Sequence, residues 1–290
     1  MPSGSSEEHL VSFYPPLPVE LIREVIEHVA LTDKSSASSL ALVSRNFYNW
    51  TMPLMYHTVT LDTRETILSF IHCIEAAQCV FVDNTKHIVS LAIHNRAMQY
   101  CDWTLSLCGN IRSLLLWPDR RDQSSQSEGV ALWSHPWHVV ILSVPTMWLI
   151  QRVSLFTHTS HLYLDEALNP QILRLCLEMR MLTHICFGLY GDYDSPEMAV
   201  RGTKLLLEKP SMNLVLVHAF ISGVPIWDFF GGIWASLAEI PDERLFVMPG
   251  LFPDQMFELF ESGGTVWDSV EDWKDWRRAV QPEELISPAT

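Results

Sequence analysis

The chain is short of charge, and shortest of positive charge. Of its 290 residues only 18% are charged, and 19 Lys and Arg stand against 34 Asp and Glu, a net charge of −15. The longest basic blocks are the pairs Arg120-Arg121 and Arg277-Arg278. Gripping a phosphate backbone takes clustered cations, so no nucleic-acid partner is expected. Glycine is scarce too, at 12 residues, and none falls into G-x-G-x-x-G or G-x-x-x-x-G-K-[ST]. Without such a loop there is no phosphate cradle, and G-x-S-x-G and H-E-x-x-H are missing as well. No catalytic residue, cofactor or metal is expected on this pattern, and an enzyme is the last-ranked reading. Two H-x-x-H pairs exist, His135/His138 and His158/His161. On a strand or loop that spacing does not bring both rings to one face, as an i, i+4 helical pair would.

The six cysteines (Cys73, Cys79, Cys101, Cys108, Cys176 and Cys186) form no C-x-x-C pair, and several lie in apolar runs. They read as reduced thiols packed as small hydrophobes. Nor is there an unbroken apolar run of membrane length. Leu214 to Ala238 comes nearest, but it carries His218, Pro225, Asp228 and three glycines. Proline near its middle would break a spanning helix. The first residues are polar and acidic and do not form a signal peptide. No membrane partner is expected, and the cytoplasm or nucleus is the expected location.

What the chain does have is apolar residues, 48% of the total, enough for a sizeable core. Residues 1–12 and 281–290 read as disordered tails, and Pro118 to Gly129 as an exposed low-complexity loop. Ser125 to Glu128 within that loop is an acidic phosphorylation context, more simply a flexible linker. Helical periodicity opens at Leu17-Pro18, where proline suits a first helical turn, and continues through Leu21, Ile22, Val25, Ile26 and Val29. Asp33 or Ser35 can cap a second helix holding Leu40, Leu42 and Val43. A third helical segment, Arg45 to Trp50, carries Phe47 and is expected to stop before Pro53. Three helices of this size make a small core, which usually finishes its packing on a neighbour.

These residues carry a resemblance. Leu17-Pro18-x-Glu20-Leu21-Ile22, then Ile26, then Leu42-Val43-Ser44-Arg45-x-Phe47, resembles the F-box motif. The following Pro53-Leu54-Met55-Tyr56-x-x-Val59-x-Leu61 looks like the extension found in the expanded F-box-like proteins of mushroom-forming fungi. The match covers about one sixth of the chain. Phe47 stands where that family often has tryptophan, and Ser44 where it often has cysteine. The resemblance implies an F-box-like module at 13–61 that docks on a Skp-type adaptor and through it a cullin. It also implies that Leu17, Pro18, Ile22, Ile26, Leu40, Val43 and Phe47 are the adaptor contacts, some of which must be core instead.

The rest of the chain repeats. Hydrophobic-x-hydrophobic segments begin at Val59, Leu91, Leu114, Val139, Leu162, Ile185, Val215 and Leu245. Intervals of 23 to 32 residues suit units of one strand and one return. Helical returns are expected at Thr66–Ala77, Met98–Cys108, Gln171–Met181, Glu197–Glu208 and Trp227–Leu237. The fold class is therefore α/β, a leucine-rich-repeat-like solenoid with a parallel sheet over 62–280. A helix from Asp268 to Val280, with Trp267, Val270, Trp273 and Trp276, is expected to cap its end. The repeats lack the asparagine-containing consensus.

In such a solenoid the anchors point into the core and their neighbours face the other side of the sheet. Polar and aromatic groups then converge there: His94, Trp117, His138, His161, Tyr163, Asp165 and His184. They are the candidate target-binding residues, with imidazoles near their ordinary pKa of about 6.5, or else a structural histidine ladder. The resemblance implies a substrate receptor of a Skp–cullin–F-box ubiquitin ligase, holding an unknown protein substrate. A ligase-independent scaffold, whose helices only cap the solenoid, is the alternative.

Overall fold

A computed structural model describes residues 17–76, 85–94, 100–117, 136–142, 156–190, 196–220, 236–237, 239–249, 253–268 and 270. The tails, the 118–129 loop, the Trp227–Leu237 return up to residue 235 and the helix beyond 270 lie outside the described residues.

The chain divides into two compact units, Met1–Met55 and Tyr56–Thr290. The first holds α1 (Val19–Thr32), α2 (Lys34–Ala41) and α3 (Arg45–Met55). Helix α1 starts behind Pro18. Asp33 separates it from α2: its backbone is extended and its carboxylate accepts from the Ser35 and Ser36 N–H groups. Those hydrogen bonds, the Ser36 hydroxyl's first, hold the carboxyl below its usual range. Leu42 already lies beyond the last helical residue of α2, so Leu42 and Val43 form the turn into α3. Helix α3 does not stop before Pro53 but carries it to Met55. In the last turn a proline forfeits only the bond to the Asn49 carbonyl, a loss the helix end tolerates.

The second unit is α/β. It contains β1 (Thr58–Leu61), α4 (Arg64–Ala76), β2 (Ser90–His94), α5 (Cys101–Leu107), β3 (Ser113–Trp117) and β4 (His138–Ile141). Then follow β5 (His161–Leu164), α6 (Pro170–Glu178), β6 (His184–Tyr190), α7 (Pro196–Leu207), β7 (Leu214–Phe220), β8 (Leu245–Pro249) and α8 (Pro253–Glu261). The eight strands form one open parallel sheet in chain order, β1 to β8. Because Thr58–Leu61 pairs with β2, it belongs to the sheet, and the division falls before it rather than after residue 61.

The register follows the repeat. Val59, Leu91, Leu114, Val139, Leu162, Ile185, Val215 and Leu245 pair one to the next across the whole sheet. This row packs with Ile67, Ile71 and Ile74 of α4, Leu105 of α5, Ile172 and Cys176 of α6 and Leu206 of α7 in one continuous core. Each fully buried Leu or Ile contributes about 1.5–3 kcal/mol. Burial also pushes the Cys108 and Cys176 thiols up to about 12, so they are packed hydrophobes rather than nucleophiles.

The strand entries share a backbone device. At six successive junctions two consecutive N–H groups entering a strand share one carbonyl of the preceding unit. The acceptors are His57, Val89, Arg112, Trp137, Ser160 and Thr183, each taking both bonds within 2.7–3.1 Å. Long side chains then satisfy helix ends: Lys209 donates to the Cys176 and Met179 carbonyls, and Arg244 to those of Leu207 and Met212. A cation at a helix C-terminus is favourable electrostatically as well. Among the described residues no helix is long and apolar enough to cross a membrane.

Candidate functional site

Two surfaces bear on function, one in each unit. In the helical unit the stripe Ile22–Ile26–Ala30 turns inward along α1, and the stripe Leu17–Leu21–Val25 beside it turns out. Ile26, Ala30, Ala37 and Thr51 are the buried residues among those described in the unit. Against this thin core stand Leu17 (63% exposed), Val19, Leu21, Val25, Leu31, Leu42 (88%) and Val43 (65%). Of the seven expected adaptor contacts, Leu17, Pro18 and Val43 are exposed, and Ile22, Leu40 and Phe47 are half-buried. Ile26 is core and cannot meet a partner, because its stripe faces the unit's own helices. Phe47 stacks on Trp50 at 5.6 Å.

In the sheet unit, the face opposite the anchor row is covered. Ala92, Leu115, Val140, Tyr163, Cys186, Leu216 and Phe246, one residue beyond each anchor, pack with Met256, Phe260, Val266 and Val270 in a second core. Helix α8, which the repeat pattern did not anticipate, lies on this face. Its signals were local ones: Pro253 at the first helical position, Met256, Phe257 and Phe260 at helical spacing, and a glycine stop. That stop is a Schellman turn, with Gly263 at φ +80° donating to Phe260 and Gly264 donating to Leu259. Thr265 then opens another turn, its N–H and hydroxyl both bonded to the Asp268 carboxylate. Trp267 sits on the middle of the sheet, 5.6 Å from the His161 ring and 5.8 Å from the His184 ring.

The seven expected target-binding residues fall into three groups. His138, His161 and His184 occupy paired positions on β4, β5 and β6. His161 and His184 stack in parallel at 4.1 Å, and His138 meets His161 edge-on at 6.4 Å. Ser160 and Thr183 direct their hydroxyls at the carbonyls of Trp137 and Ser160. With that single hydrogen committed, each hydroxyl oxygen accepts from the adjacent imidazole Nδ1, at 2.8 Å for both His161 and His184. His161 and His184 are thus each held by the hydroxyl of the residue before them, and the three rings meet one another by ring contact. His138 and His161 do not keep their ordinary pKa. Burial, reinforced at His161 by the neighbouring His184 and His138, depresses His138 and His161 to about 4. Asp268 acts in the opposite direction on His138 but does not prevail.

His94 and Trp117 form a second group, edge to face at 4.3 Å, with Phe257 of α8 against both. Tyr163 and Asp165 are the third, and both are buried. The Tyr163 hydroxyl lies 3.3 Å from Nδ1 of His218, a buried residue outside the expected set that burial depresses to about 3. Cys186 lies in this group too, its thiol pushed well up by burial and by Asp165. A buried thiol of that kind is a poor nucleophile, and among the described residues no group of three His, Cys, Asp or Glu could hold a metal.

The geometry defines an α/β protein with an open, sequentially ordered parallel sheet, preceded by a three-helix unit with an exposed apolar face. No protein-family model, curated protein or solved structure matches the chain.

Proposed function

We propose that the chain is a protein-interaction adaptor, the substrate receptor of a Skp–cullin–F-box ubiquitin ligase. On this reading the three helices are an F-box-like module that binds the Skp-type adaptor. The sheet unit is a leucine-rich-repeat-like solenoid that receives the protein substrate. One observation supports the first half most: seven large apolar side chains of the helical unit face solvent around a core of four buried residues. Large apolar side chains left in water on a small module suit a docking surface. The F-box-like motif falls on that surface, with Leu17, Pro18 and Val43 accessible and Ile22, Leu40 and Phe47 at its rim. The sequential register of the eight strands is what a repeat receptor requires. The Cys186–His218–Asp165 neighbourhood is buried and presents no reacting group to solvent.

A reconstituted binding assay with purified Skp-type adaptor tests the reading. Wild type binds, and the Leu17→Asp/Val43→Asp pair loses binding by roughly a thousandfold, because an interface would bury unpaired carboxylates at about 3–5 kcal/mol. A wild-type chain that is folded and does not bind the adaptor refutes it and leaves the ligase-independent scaffold.

A further inference from the structure

Two residues beyond Ala92 and Leu115, the second face carries His94 and Trp117, which pair across β2 and β3. Asp62 continues that row on β1, one residue past Leu61, whose partner is Ile93. Helix α8 supplies the facing wall. Asp254, Phe257, Glu258 and Glu261 fall on one stripe of it by spacing. Glu261 accepts from the Thr60 hydroxyl at 3.0 Å, so the stripe is turned toward the first strands. Three rings meet in the corner between these walls. His94 lies 4.3 Å from Trp117 at 87° and 6.1 Å from Phe257 at 74°, and Trp117 lies 6.4 Å from Phe257 at 56°. All three are half-buried, so each keeps part of its surface in water, and Asp62 and Asp254 beside them are exposed.

The charge of this corner has one sign. Strands β1, β2 and β3 and helix α8 contain no Lys or Arg. Asp62 lends one carboxylate oxygen to the Thr66 hydroxyl at 3.2 Å. Neither Asp62 nor Asp254 has a cationic partner among the described residues. Burial lowers the His94 pKa, and the Asp62 backbone and the Asp62 and Asp254 carboxylates act against it without prevailing. The imidazole is therefore neutral at pH 7 and adds no positive charge. Ring faces flanked by carboxylates attract a cation that carries apolar surface of its own. A hard divalent ion does not suit the corner, because it takes about six to eight oxygens. Among the described residues no group of three His, Cys, Asp or Glu could hold one. A planar guanidinium stacks flat on a single ring, whereas rings set at steep angles offer faces to several sides of a tetrahedral ammonium.

We propose that the corner formed by His94, Trp117 and Phe257 between Asp62 and Asp254 binds an alkylammonium group, the lysine side chain of a target protein. The inference rests on the reading of the sheet unit as a receptor and names what that receptor takes. A chain of net charge −15 complements a basic target segment. The lysine stem lies against Trp117 and Phe257, and its ammonium sits between the two carboxylates.

Titration of the full wild-type chain with lysine analogues, followed by proton NMR of the analogue, tests this. The probes are Nα-acetyl-lysine methylamide, its Nζ-trimethyl form, and the norleucine and arginine counterparts. Both ammonium probes should bind, with the protons nearest the nitrogen shifted upfield by the rings. The norleucine counterpart keeps the stem and lacks the ammonium, and should bind roughly tenfold more weakly. Asp62→Asn/Asp254→Asn, which preserves an acceptor for Thr66, should weaken the ammonium probes by roughly fivefold. Trp117→Ala should abolish their binding. Glu20→Gln/Glu24→Gln removes the same charge from the helical unit and should change nothing. Equal binding of the norleucine counterpart, tighter binding of the arginine counterpart, or an equal loss in Glu20→Gln/Glu24→Gln overturns the proposal. So does undiminished binding by the Asp62→Asn/Asp254→Asn or Trp117→Ala chain, or a folded wild type that binds neither ammonium probe. If Trp117→Ala does not fold, the carboxamide pair and the norleucine comparison decide alone. No readout involves the Skp-type adaptor, so failure of adaptor binding and failure of this proposal are seen separately.

Discussion

The two units use the same kind of residue in opposite ways. The sheet unit buries apolar side chains on both faces, under returning helices on one side and under α8 and Trp267 on the other. Among its described residues the helical unit buries three apolar ones and leaves seven large ones in water. A module of that size with so little core gains by finishing its packing on something else. The difference teaches that most of the exposed large apolar side chains among the described residues lie in the three helices, and that the polar residues of the sheet are largely enclosed.

The comparison breaks most visibly at the anchor row. Leu162→Ala should cost about 2–5 kcal/mol, because its cavity would lie between β4, β6 and the returning helices. Denaturant titration should show this, with Leu42→Ala at the exposed turn shifting stability by less than about 0.5 kcal/mol. If Leu42→Ala destabilises as much as Leu162→Ala, the helical unit is closed and not open. Next comes Phe260→Ala, in the second core, at about 3 kcal/mol or more. Its effect should concentrate in exchange of the 253–270 amides and spare β3 to β6.

Acid should discriminate next. His138 and His161 fall from 6.5 to about 4 and His218 to about 3, while in the unfolded chain each titrates at its ordinary value. Below about pH 6.5 the unfolded state therefore binds more protons. The histidine contribution is complete above that pH and is lost progressively as pH falls toward 4. Thermal melts between pH 7 and 4.5 should decline, and His161→Asn should flatten the slope. A slope unchanged by that substitution would remove the ladder from the explanation. The smallest effect is Ser160→Ala, which takes away the acceptor of His161 Nδ1 and should cost about 1 kcal/mol.

The sheet was readable from the sequence because a parallel strand leaves a local mark: one apolar-x-apolar segment per repeat. All eight anchors are partners in one register row, and four of the five expected returns coincide with α4, α5, α6 and α7 to within three residues. The histidine row followed directly from that register. What covers the second face was not readable. Glu261, Phe257 and Trp267 reach β1, β2 and β5–β6 from the far end of the chain, and periodicity says nothing about which distant surface an amphipathic helix will seat on. The pKa error has the same origin: an imidazole on an open face keeps its ordinary value, and one under Trp267 does not. In the helical unit the sequence marked Leu21, Ile22, Val25, Ile26 and Val29 as one apolar stripe. Only the turn of α1 relative to its neighbours separates the buried Ile26 from the exposed Leu21 and Val25.

Hydrogen-exchange footprinting of the full chain with and without purified Skp-type adaptor tests the central claim most directly. The account predicts protection confined to residues 17–25 and 40–47, with β2 to β8 unchanged. Protection on the sheet, or none in the helices at saturating adaptor, would contradict it.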